Sequence, residues 1–429
     1  MEDRRARTII ALALRAGEIQ LSNSMSVAEV VDALHRICDA FGLEGVTVLV
    51  ELNTVTISYL EPDLSGSGTV VRVVEPTQPH VHRLTQVRDL VEAIERGEVT
   101  LEEASDRLTE IESSPDPYHP AVQVVARLAS VAAWTLFAGG DAISMVAAVL
   151  AAVVVRGAFT LVVRSRVPEI FATVVSSLVV VLVPYGLGDL VDYRVSPAVV
   201  GGLYQLLPGA ALVAAVTDGL SGALQSATAR GLQAMVTAVG VALGVLGGLS
   251  IADGFGIVLP DVPAGPWAGW VTALAAAVAV GLLAVARLVP LRFALAIGPL
   301  AAVVWGVSWL GSTTEADGTI AVGAAALILG VASGLLSRLQ RGVPTMYTST
   351  AVLVLVPGTT IYLAMLSFAR GANEAGLTLT IDALAVSLAI AAGTTLGLVI
   401  GRTVPRPPSP LALLPRGRDP HEPPDPPVG

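Results

Sequence analysis

Side chains able to bind a polar solute gather at two proline–glycine steps in the apolar part of this sequence, Pro208–Gly209 and Pro357–Gly358. Proline removes a backbone hydrogen bond from a helix, and the glycine after it lets the chain leave helical geometry, so both steps predict kinked or broken helices. Matching interruptions in two halves of a chain are typical of substrate sites in secondary transporters. The alternative is a pair of packing kinks that bind no ligand.

Polar side chains near the two steps are few, and most of them carry a hydroxyl group. They would suit a small polar ligand, because hydroxyls and amides both donate and accept hydrogen bonds. Those near the first step are Tyr204, Gln205, Thr217 and Asp218, and those near the second are Tyr347, Thr348, Ser349, Thr350, Thr359, Thr360, Tyr362 and Ser367.

Asp218 stands ten residues beyond Pro208, near the end of the same apolar stretch. A carboxylate at the edge of the hydrocarbon costs free energy unless it is paired or functional. It could attract an ammonium group or carry a coupling proton. Alternatively, it caps the end of its helix and pairs with Arg230. The sequence leaves both interpretations open.

The sequence offers little support for enzyme or cofactor chemistry. It has no P-loop, no dinucleotide fingerprint and no nucleophile with a matching base, which argues against an enzyme and against ATP-driven transport. A single cysteine, Cys38, excludes an internal disulfide and a thiolate metal cage. His80 and His82 form an HxH pair without further ligands nearby. We therefore expect neither a metal nor a cofactor, and the absence of lysine gives nucleic-acid binding no support.

The elements that position these residues are long apolar segments. Mean hydropathy is +0.72 and only 14% of residues are charged, against roughly 25% in an ordinary soluble domain. Apolar runs of about 20 residues, the length that crosses the hydrocarbon, recur from residue 121 onward. They predict a polytopic α-helical membrane protein with ten transmembrane helices, near 121–138, 142–160, 167–186, 196–217, 229–252, 267–286, 291–311, 319–337, 344–369 and 380–401.

Ahead of these segments, residues 1–118 predict a cytoplasmic α+β domain. Residues 1–120 hold 21 acidic residues and 10 arginines, a net charge of -11. Ser26 is a plausible N-cap with Glu29 three positions on. The expected helices are 5–20, 27–41, 81–97 and 100–112, and the expected strands are 46–52, 54–60 and 69–74, the last reached through a Gly-rich turn, 63–68. Residues 404–429 form a proline-rich tail that should be disordered.

The arginines predict the orientation in the membrane. Loops after the second, fourth, sixth and eighth segments, and the tail after the tenth, are rich in arginine, whereas the opposite loops contain only Arg194 and Arg370. Positive residues favour the cytoplasmic side. Both termini are therefore expected in the cytoplasm.

A weak self-similarity at an offset of 149 residues relates the two halves. It places Pro208 and Gly209 on Pro357 and Gly358, and it relates the first five helices to the last five. Five is an odd number, so the second unit must enter the membrane from the other side. The sequence therefore predicts two inverted five-helix repeats, residues 119–254 and 265–403.

Four segments resemble the threonine/serine exporter family. They are EEASDRLTEIESSPDPYHP at 102–120, LFAGGD at 136–141, GGLYQLLPGAALVAAVTDGLSGALQSATARGLQA at 201–234 and TAVLVLVPGTTIYLAMLSF at 350–368. The resemblance covers residues 20 to about 400. Its most specific part is the third segment, with the pattern GG...LLPG........D...G from Gly201 to Gly222.

This resemblance implies export of L-threonine, L-serine and similar small amino acids across a bacterial plasma membrane, driven by the proton motive force. It maps one Pro-Gly element onto Pro208 and Gly209 with the acid on Asp218, and the other onto Pro357 and Gly358. Substrate-binding or coupling residues are then expected among these and Gln205, Thr217, Thr359, Thr360 and Tyr362. A membrane-anchored sensor or scaffold and a channel for small solutes are the alternatives, and a homo-oligomer is left open.

Overall fold

The computed structural model describes residues 2–23, 25–60, 67–74, 80–164, 168–256, 267–313 and 318–403. Most of the predicted Gly-rich turn and the whole of the predicted disordered tail, 404–429, lie outside the described residues.

The described residues of the N-terminal segment form four helices and one antiparallel sheet, in the order that the sequence predicted. The helices are α1 (Glu2–Ser22), α2 (Val27–Ala40), α3 (Val81–Glu95) and α4 (Leu101–Ser113), and the strands are β1 (Val46–Glu51), β2 (Thr54–Leu60) and β3 (Ser67–Val73), paired in the order β1-β2-β3. We call residues 2–118 the head. That it is a soluble cytoplasmic domain stays a prediction.

Local chemistry explains where the head helices begin. The Ser26 hydroxyl accepts a hydrogen bond from the Glu29 backbone N–H and so caps α2, as the sequence predicted. A full capping box between Thr100 and Glu103 starts α4. The apolar face of α2 turns inward and buries Cys38 completely. Burial raises the pKa of the Cys38 thiol to about 12, so the group is a structural rather than a reactive one.

The remainder of the described chain is almost entirely helical. Its helices are α5 (Pro120–Phe137), α6 (Ala142–Arg164), α7 (Glu169–Gly188), α8 (Val195–Leu203), α9 (Gly209–Leu220), α10 (Leu224–Gly254), α11 (Gly269–Ala286), α12 (Leu291–Ser312), α13 (Gly318–Leu339), α14 (Pro344–Ala351), α15 (Gly358–Ala369) and α16 (Asn373–Thr403). Helices α10 and α16 begin several residues before the predicted 229 and 380, because both extend beyond their apolar stretches.

Within the described residues, seven of these helices are long and apolar enough to cross a membrane: α5, α7, α10, α11, α12, α13 and α16. The segment from α14 to α15, bent by 44° at its break, is also long and apolar enough and would make an eighth span if it crosses as one unit. The protein is therefore a polytopic helical membrane protein. The expected count of ten, which also needs α6 and the α8–α9 pair to span, stays a prediction.

Large apolar side chains cover the outward faces of the helices. Leu150, Leu243, Leu295 and Leu388 are each close to half exposed or more. A surface of this kind is unfavourable in water but matches lipid chains. The bundle therefore presents a hydrocarbon-compatible perimeter around its packed interior.

Helix pairs in the first half recur in the second at the corresponding positions. In the first half, α7 packs on α10, α6 on α7 and α9 on α10. In the second half the corresponding pairs are α13 on α16, α12 on α13 and α15 on α16. Helices α5 and α11 pack on each other. Across that contact, the Ser130 hydroxyl donates to the Ala279 carbonyl at 2.8 Å, and these residues lie 149 positions apart.

Glycines make the strongest of these paired contacts possible. A Cβ at Gly244 would lie 2.4 Å from the Val174 carbonyl oxygen of α7, and a Cβ at Gly397 would lie 2.2 Å from the Leu327 carbonyl oxygen of α13. Both distances are below any real contact, so only glycine lets the backbones approach this closely. Each of the two glycines has a glycine counterpart in the other half at the 149-residue offset: Gly393 for Gly244, and Gly248 for Gly397.

Substitution Gly397→Ala should destabilise the folded protein, because the new methyl group would have to push α16 away from α13. Overpacking of this kind typically costs about 1–3 kcal/mol. The matched control is Gly306→Ala in α12, where a Cβ would meet nothing within 4 Å. Unfolding in detergent should show a lowered midpoint for Gly397→Ala alone. Equal midpoints for the two variants would contradict the close packing of α13 on α16.

Candidate functional site

Helical structure is interrupted at both proline–glycine steps. Helix α8 ends at Leu203 and α9 begins at Gly209, with Pro208 at its N-cap; α14 is followed by a 3₁₀ turn, Val352–Val354, and α15 begins at Gly358 with Pro357 at its N-cap. Neither proline position supplies a side-chain cap. The N-cap residues therefore leave the positive N-terminal ends of α9 and α15 without a side-chain cap.

The two breaks contact each other, and the glycine of each break faces the residue before the proline of the other. A Cβ at Gly209 would lie 2.5 Å from Val356 Cγ2, the side chain just before Pro357. A Cβ at Gly358 would lie 3.0 Å from Leu207 Cδ1, the side chain just before Pro208. Each glycine thus makes room for the residue that precedes the other proline. We call this contact the crossing; it brings together two sequence steps 149 residues apart.

An aromatic cluster supports the first break. The Tyr204 ring stacks on Trp134 of α5 with centroids 4.2 Å apart and an angle of 12°. Phe137 packs edge-on against both rings. The same tyrosine contacts the second break, since a Cβ at Gly358 would lie 3.2 Å from Tyr204 Cζ, and the Thr359 side chain lies beside the Tyr204 hydroxyl. Tyr204 therefore connects α5 to both breaks.

The other polar candidates point in different directions. The Gln205 amide donates to the Arg127 carbonyl of α5 at 3.2 Å. The Thr217 hydroxyl donates to Val213 within α9 and lies 3.1 Å from the Thr395 hydroxyl of α16. Thr360 is partly buried in the first turn of α15. The structure thus brings Thr359 to the crossing, whereas Gln205 and Thr217 link the first broken segment to neighbouring helices.

Tyr362 forms a hydroxyl cluster that sequence reasoning missed. Its hydroxyl lies 3.0 Å from that of Tyr185 in α7, and both side chains are buried. Ser196, in the first turn of α8, lies beside both tyrosine hydroxyls. Nothing local in the sequence joins Tyr185 to Tyr362, because the two residues are 177 positions apart.

Asp218 does not lie at the crossing but at the contact between α9 and the head. Its carboxylate is fully buried and forms an ion pair with Arg230 of α10, Oδ2 to Nε at 2.9 Å. The other oxygen accepts a hydrogen bond from the backbone N–H of Val27, the first residue of α2, at 3.1 Å. The Arg230 guanidinium also donates to the Met25 carbonyl at 3.1 Å. The structure therefore contains the pairing with Arg230 that the sequence allowed; a coupling role for Asp218 stays a prediction.

The head also contacts the start of the second broken helix. The Thr345 hydroxyl of α14 donates to the Glu29 carboxylate at 3.1 Å, and the Arg88 guanidinium of α3 donates to the Gly342 carbonyl at 2.7 Å. Through the Thr345 bond and the contacts with Asp218 and Arg230, segment 25–29 is attached to both broken helices. The Arg88 bond adds α3 to the same contact. We call this set of contacts the head clamp.

Metal binding gains no support from the described residues, in which no three His, Cys, Asp or Glu side chains are grouped as ligands. His80 of the HxH pair instead hydrogen-bonds Asp116, Nε2 to Oδ1 at 2.8 Å. This bond holds the pKa of Asp116 below its usual range. The pair joins the start of α3 to the loop before α5 and is a structural contact.

Comparison with known proteins gives a consistent family. The family model described as "Putative threonine/serine exporter" matches residues 11–252, and the model described as "Threonine/Serine exporter, ThrE" matches residues 272–400. The "Probable threonine/serine exporter" of Mycobacterium tuberculosis is 25% identical over 409 residues, which are 92% of this chain and 77% of that protein. The "Threonine/serine exporter" of Corynebacterium glutamicum is 26% identical over 410 residues, which are 93% and 84% of the two chains. No solved structure matches the chain significantly.

Removing one member of the buried ion pair should be costly, because the other is left charged and unpaired. Asp218→Ala and Arg230→Ala are each expected to lower the free energy of unfolding by about 3–5 kcal/mol. The double variant should lose much less than the sum of the two single losses. The measurement is equilibrium unfolding in detergent, arranged as a double-mutant cycle.

The matched control for this cycle is Arg96→Ala in the head. Arg96 pairs with Glu98 at 2.6 Å, but both side chains are more than half exposed, so solvent screens the pair and its loss should change stability very little. Additive losses from Asp218→Ala and Arg230→Ala would show that the two groups act independently and would contradict the pairing.

Proposed function

The chain belongs to the threonine/serine exporter family, and on that premise we propose that it exports L-threonine, L-serine and similar small amino acids from the cytoplasm across a bacterial plasma membrane. Its family membership makes it a transporter rather than an enzyme. The seven or eight apolar spans supply the membrane part that such an activity needs.

The observation that carries the proposal is the crossing of the two broken helices. Gly209 against Val356 and Gly358 against Leu207 place the N-termini of α9 and α15 next to each other. Helix N-termini favour negative charge, and here they lack side-chain caps. A zwitterionic amino acid offers a carboxylate to such a site, and Thr359 and Thr360 offer hydroxyls to its polar side chain.

We infer further that the membrane part consists of two five-helix repeats of opposite orientation. The recurring packing pairs support this assignment, and so does the hydrogen bond between Ser130 and Ala279, which are equivalent residues at the 149-residue offset. The two family models also divide the chain between α10 and α11, where one repeat would give way to the next. With ten spans, both termini would lie in the cytoplasm, as the arginine distribution predicts.

Transport would then proceed by alternating access, with the repeats rocking about the crossing. In this proposal the head clamp lies on the cytoplasmic side and would close it; the contacts of segment 25–29 with α9, α10 and α14 support this role. The proposed driving force is proton antiport. The charged groups that act on Asp218 are Arg230 and Glu29. Protonation of Asp218 would remove the negative charge that pairs with Arg230 and would loosen the head clamp.

The direct test uses right-side-out vesicles that contain the protein and are preloaded with labelled threonine. Energised vesicles should lose label faster than vesicles treated with an uncoupler, and faster than vesicles made without the protein. The matched inactive variant is Gly209→Val, whose branched side chain would overlap Val356 at the crossing.

Three outcomes separate the parts of this proposal. Label retention equal to that of vesicles without the protein would contradict amino-acid export. Protein-dependent loss that is unchanged by the uncoupler would leave export standing but would contradict proton coupling. Efflux that fails to saturate with internal threonine would instead indicate a channel.

A further inference from the structure

A cavity of about 560 Å³ lies in the head, between α3 and the C-terminal part of α4. We call it the head cavity. Its volume is within the range of small-molecule sites, about 300–1,000 Å³. The apolar part of its lining includes Leu90 of α3 and Ile111 of α4, which are both buried. Its polar lining is Gln86, Asp89, Arg107, Glu110, Ser113 and Ser114.

Three charged side chains line the head cavity: Asp89 from α3, and Arg107 and Glu110 from α4. All three are exposed to solvent. Among the described residues, none of the three side chains forms a hydrogen bond or an ion pair. Arg88, the cation next to Asp89 in the chain, is bonded to Glu92 and to the Gly342 carbonyl instead. The three charges are therefore available to a ligand that enters from solution.

The end of α4 adds negative potential to the head cavity. Helix α4 ends at Ser113, which lines the cavity, and its last turn contains no basic residue. The C-terminus of a helix carries partial negative charge and favours a cation. Glu110 lies in this last turn, and Asp89 faces the same cavity from α3. Two carboxylates and a negative helix end thus surround a space that lacks a counter-charge apart from Arg107.

Arg107 makes the lining complementary to a ligand with both signs of charge. It precedes Glu110 by three residues, which is about 4.5 Å along the helix axis. A guanidinium group binds a carboxylate through paired hydrogen bonds, while the carboxylates of Asp89 and Glu110 suit an ammonium group. A phosphate-bearing ligand would instead meet two like charges. The lining therefore favours a ligand whose ammonium and carboxylate groups lie close together.

We propose that the head cavity binds a small zwitterionic amino acid. Asp89 and Glu110 hold its ammonium group, Arg107 holds its carboxylate, and Leu90 and Ile111 contact its aliphatic part. This inference goes beyond the proposed function, because the head cavity lies outside the membrane part and is separate from the crossing.

Helix α3 connects the head cavity to the second broken helix. Asp89 faces the cavity, while the neighbouring Arg88 donates to the Gly342 carbonyl just before α14. An amino acid that bridges α3 and α4 acts on the same helix that carries this bond of the head clamp. Occupancy of the head cavity is thus coupled to the position of α3 on the start of α14.

Hydrogen–deuterium exchange of the purified full-length protein tests the proposal, because it localises binding along the chain. L-Threonine should slow amide exchange in α3 and α4, and the half-saturating concentration is read from this effect. Threoninamide lacks the carboxylate and N-acetylthreonine lacks the ammonium group. Each should bind about tenfold more weakly, since a hydrogen bond to a charged group is lost.

Substitutions in the lining separate binding from structure. Asp89→Asn and Arg107→Gln should each raise the half-saturating threonine concentration about tenfold. Glu110→Gln should do the same, while leaving the ligand-free protein as stable as the wild type or more stable, because it removes a negative charge from the negative end of α4. The matched control is Glu98→Gln, which neutralises an exposed head carboxylate that pairs with Arg96 outside the cavity. This control should keep wild-type binding.

The crossing variant Gly209→Val should keep the threonine-dependent protection of α3 and α4, because it leaves the head cavity unchanged. Loss of the protection in this variant would assign the effect to binding at the crossing and would overturn the proposal. Absence of protection in the wild type, or wild-type binding by the three lining variants, would overturn it as well. Equal binding of N-acetylthreonine and threonine would contradict the zwitterion assignment. Protection of α3 and α4 in a protein that exports no amino acid would contradict the proposed function alone.

Discussion

The close contact between the two proline–glycine steps is the constraint on which the rest of the structure depends. In hydrocarbon, a chain can leave helical geometry only where protein surrounds the freed backbone groups. Each break here is enclosed by the other, and glycine at 209 and 358 is what allows it, because a Cβ would lie 2.5 Å from Val356 and 3.0 Å from Leu207. The breaks are therefore interdependent: neither could keep its geometry if the other helix were moved away or made continuous.

Two further sets of side-chain contacts, which we call layers, lie on either side of this contact. On one side, α9 continues from the first break to Asp218 and ends against the head, where Arg230 and the N-terminus of α2 neutralise the buried carboxylate. On the other side, α15 leads within about one helical turn of the second break to Tyr362 and its hydroxyl cluster. A movement at the crossing would shift both layers, since each begins within about three helical turns of it. This geometry suits a protein that exposes one site alternately to two sides.

Local signals in the sequence predicted much of this architecture. Pro208–Gly209 and Pro357–Gly358 predicted broken helices, and Ser26 predicted the start of α2. The lengths of the apolar runs predicted where the membrane helices lie. The partners of single side chains were not predictable. Val27 meets Asp218 across 191 residues and Tyr185 meets Tyr362 across 177, and no periodicity encodes such pairs. The partner of Gln205 was equally hidden: its amide donates to the Arg127 carbonyl of α5, and a ligand-binding role for it stays a prediction.

The most direct measurement of the central claim is export by a Thr217→Cys, Thr395→Cys variant before and after oxidation. These hydroxyls lie 3.1 Å apart and connect α9 of the first half to α16 of the second, while Cys38 is buried with a pKa raised to about 12 and should not interfere. If transport requires the halves to move about the crossing, the reduced variant should export threonine, the disulfide should stop export, and a reductant should restore it. Undiminished export by the fully crosslinked protein would contradict the account.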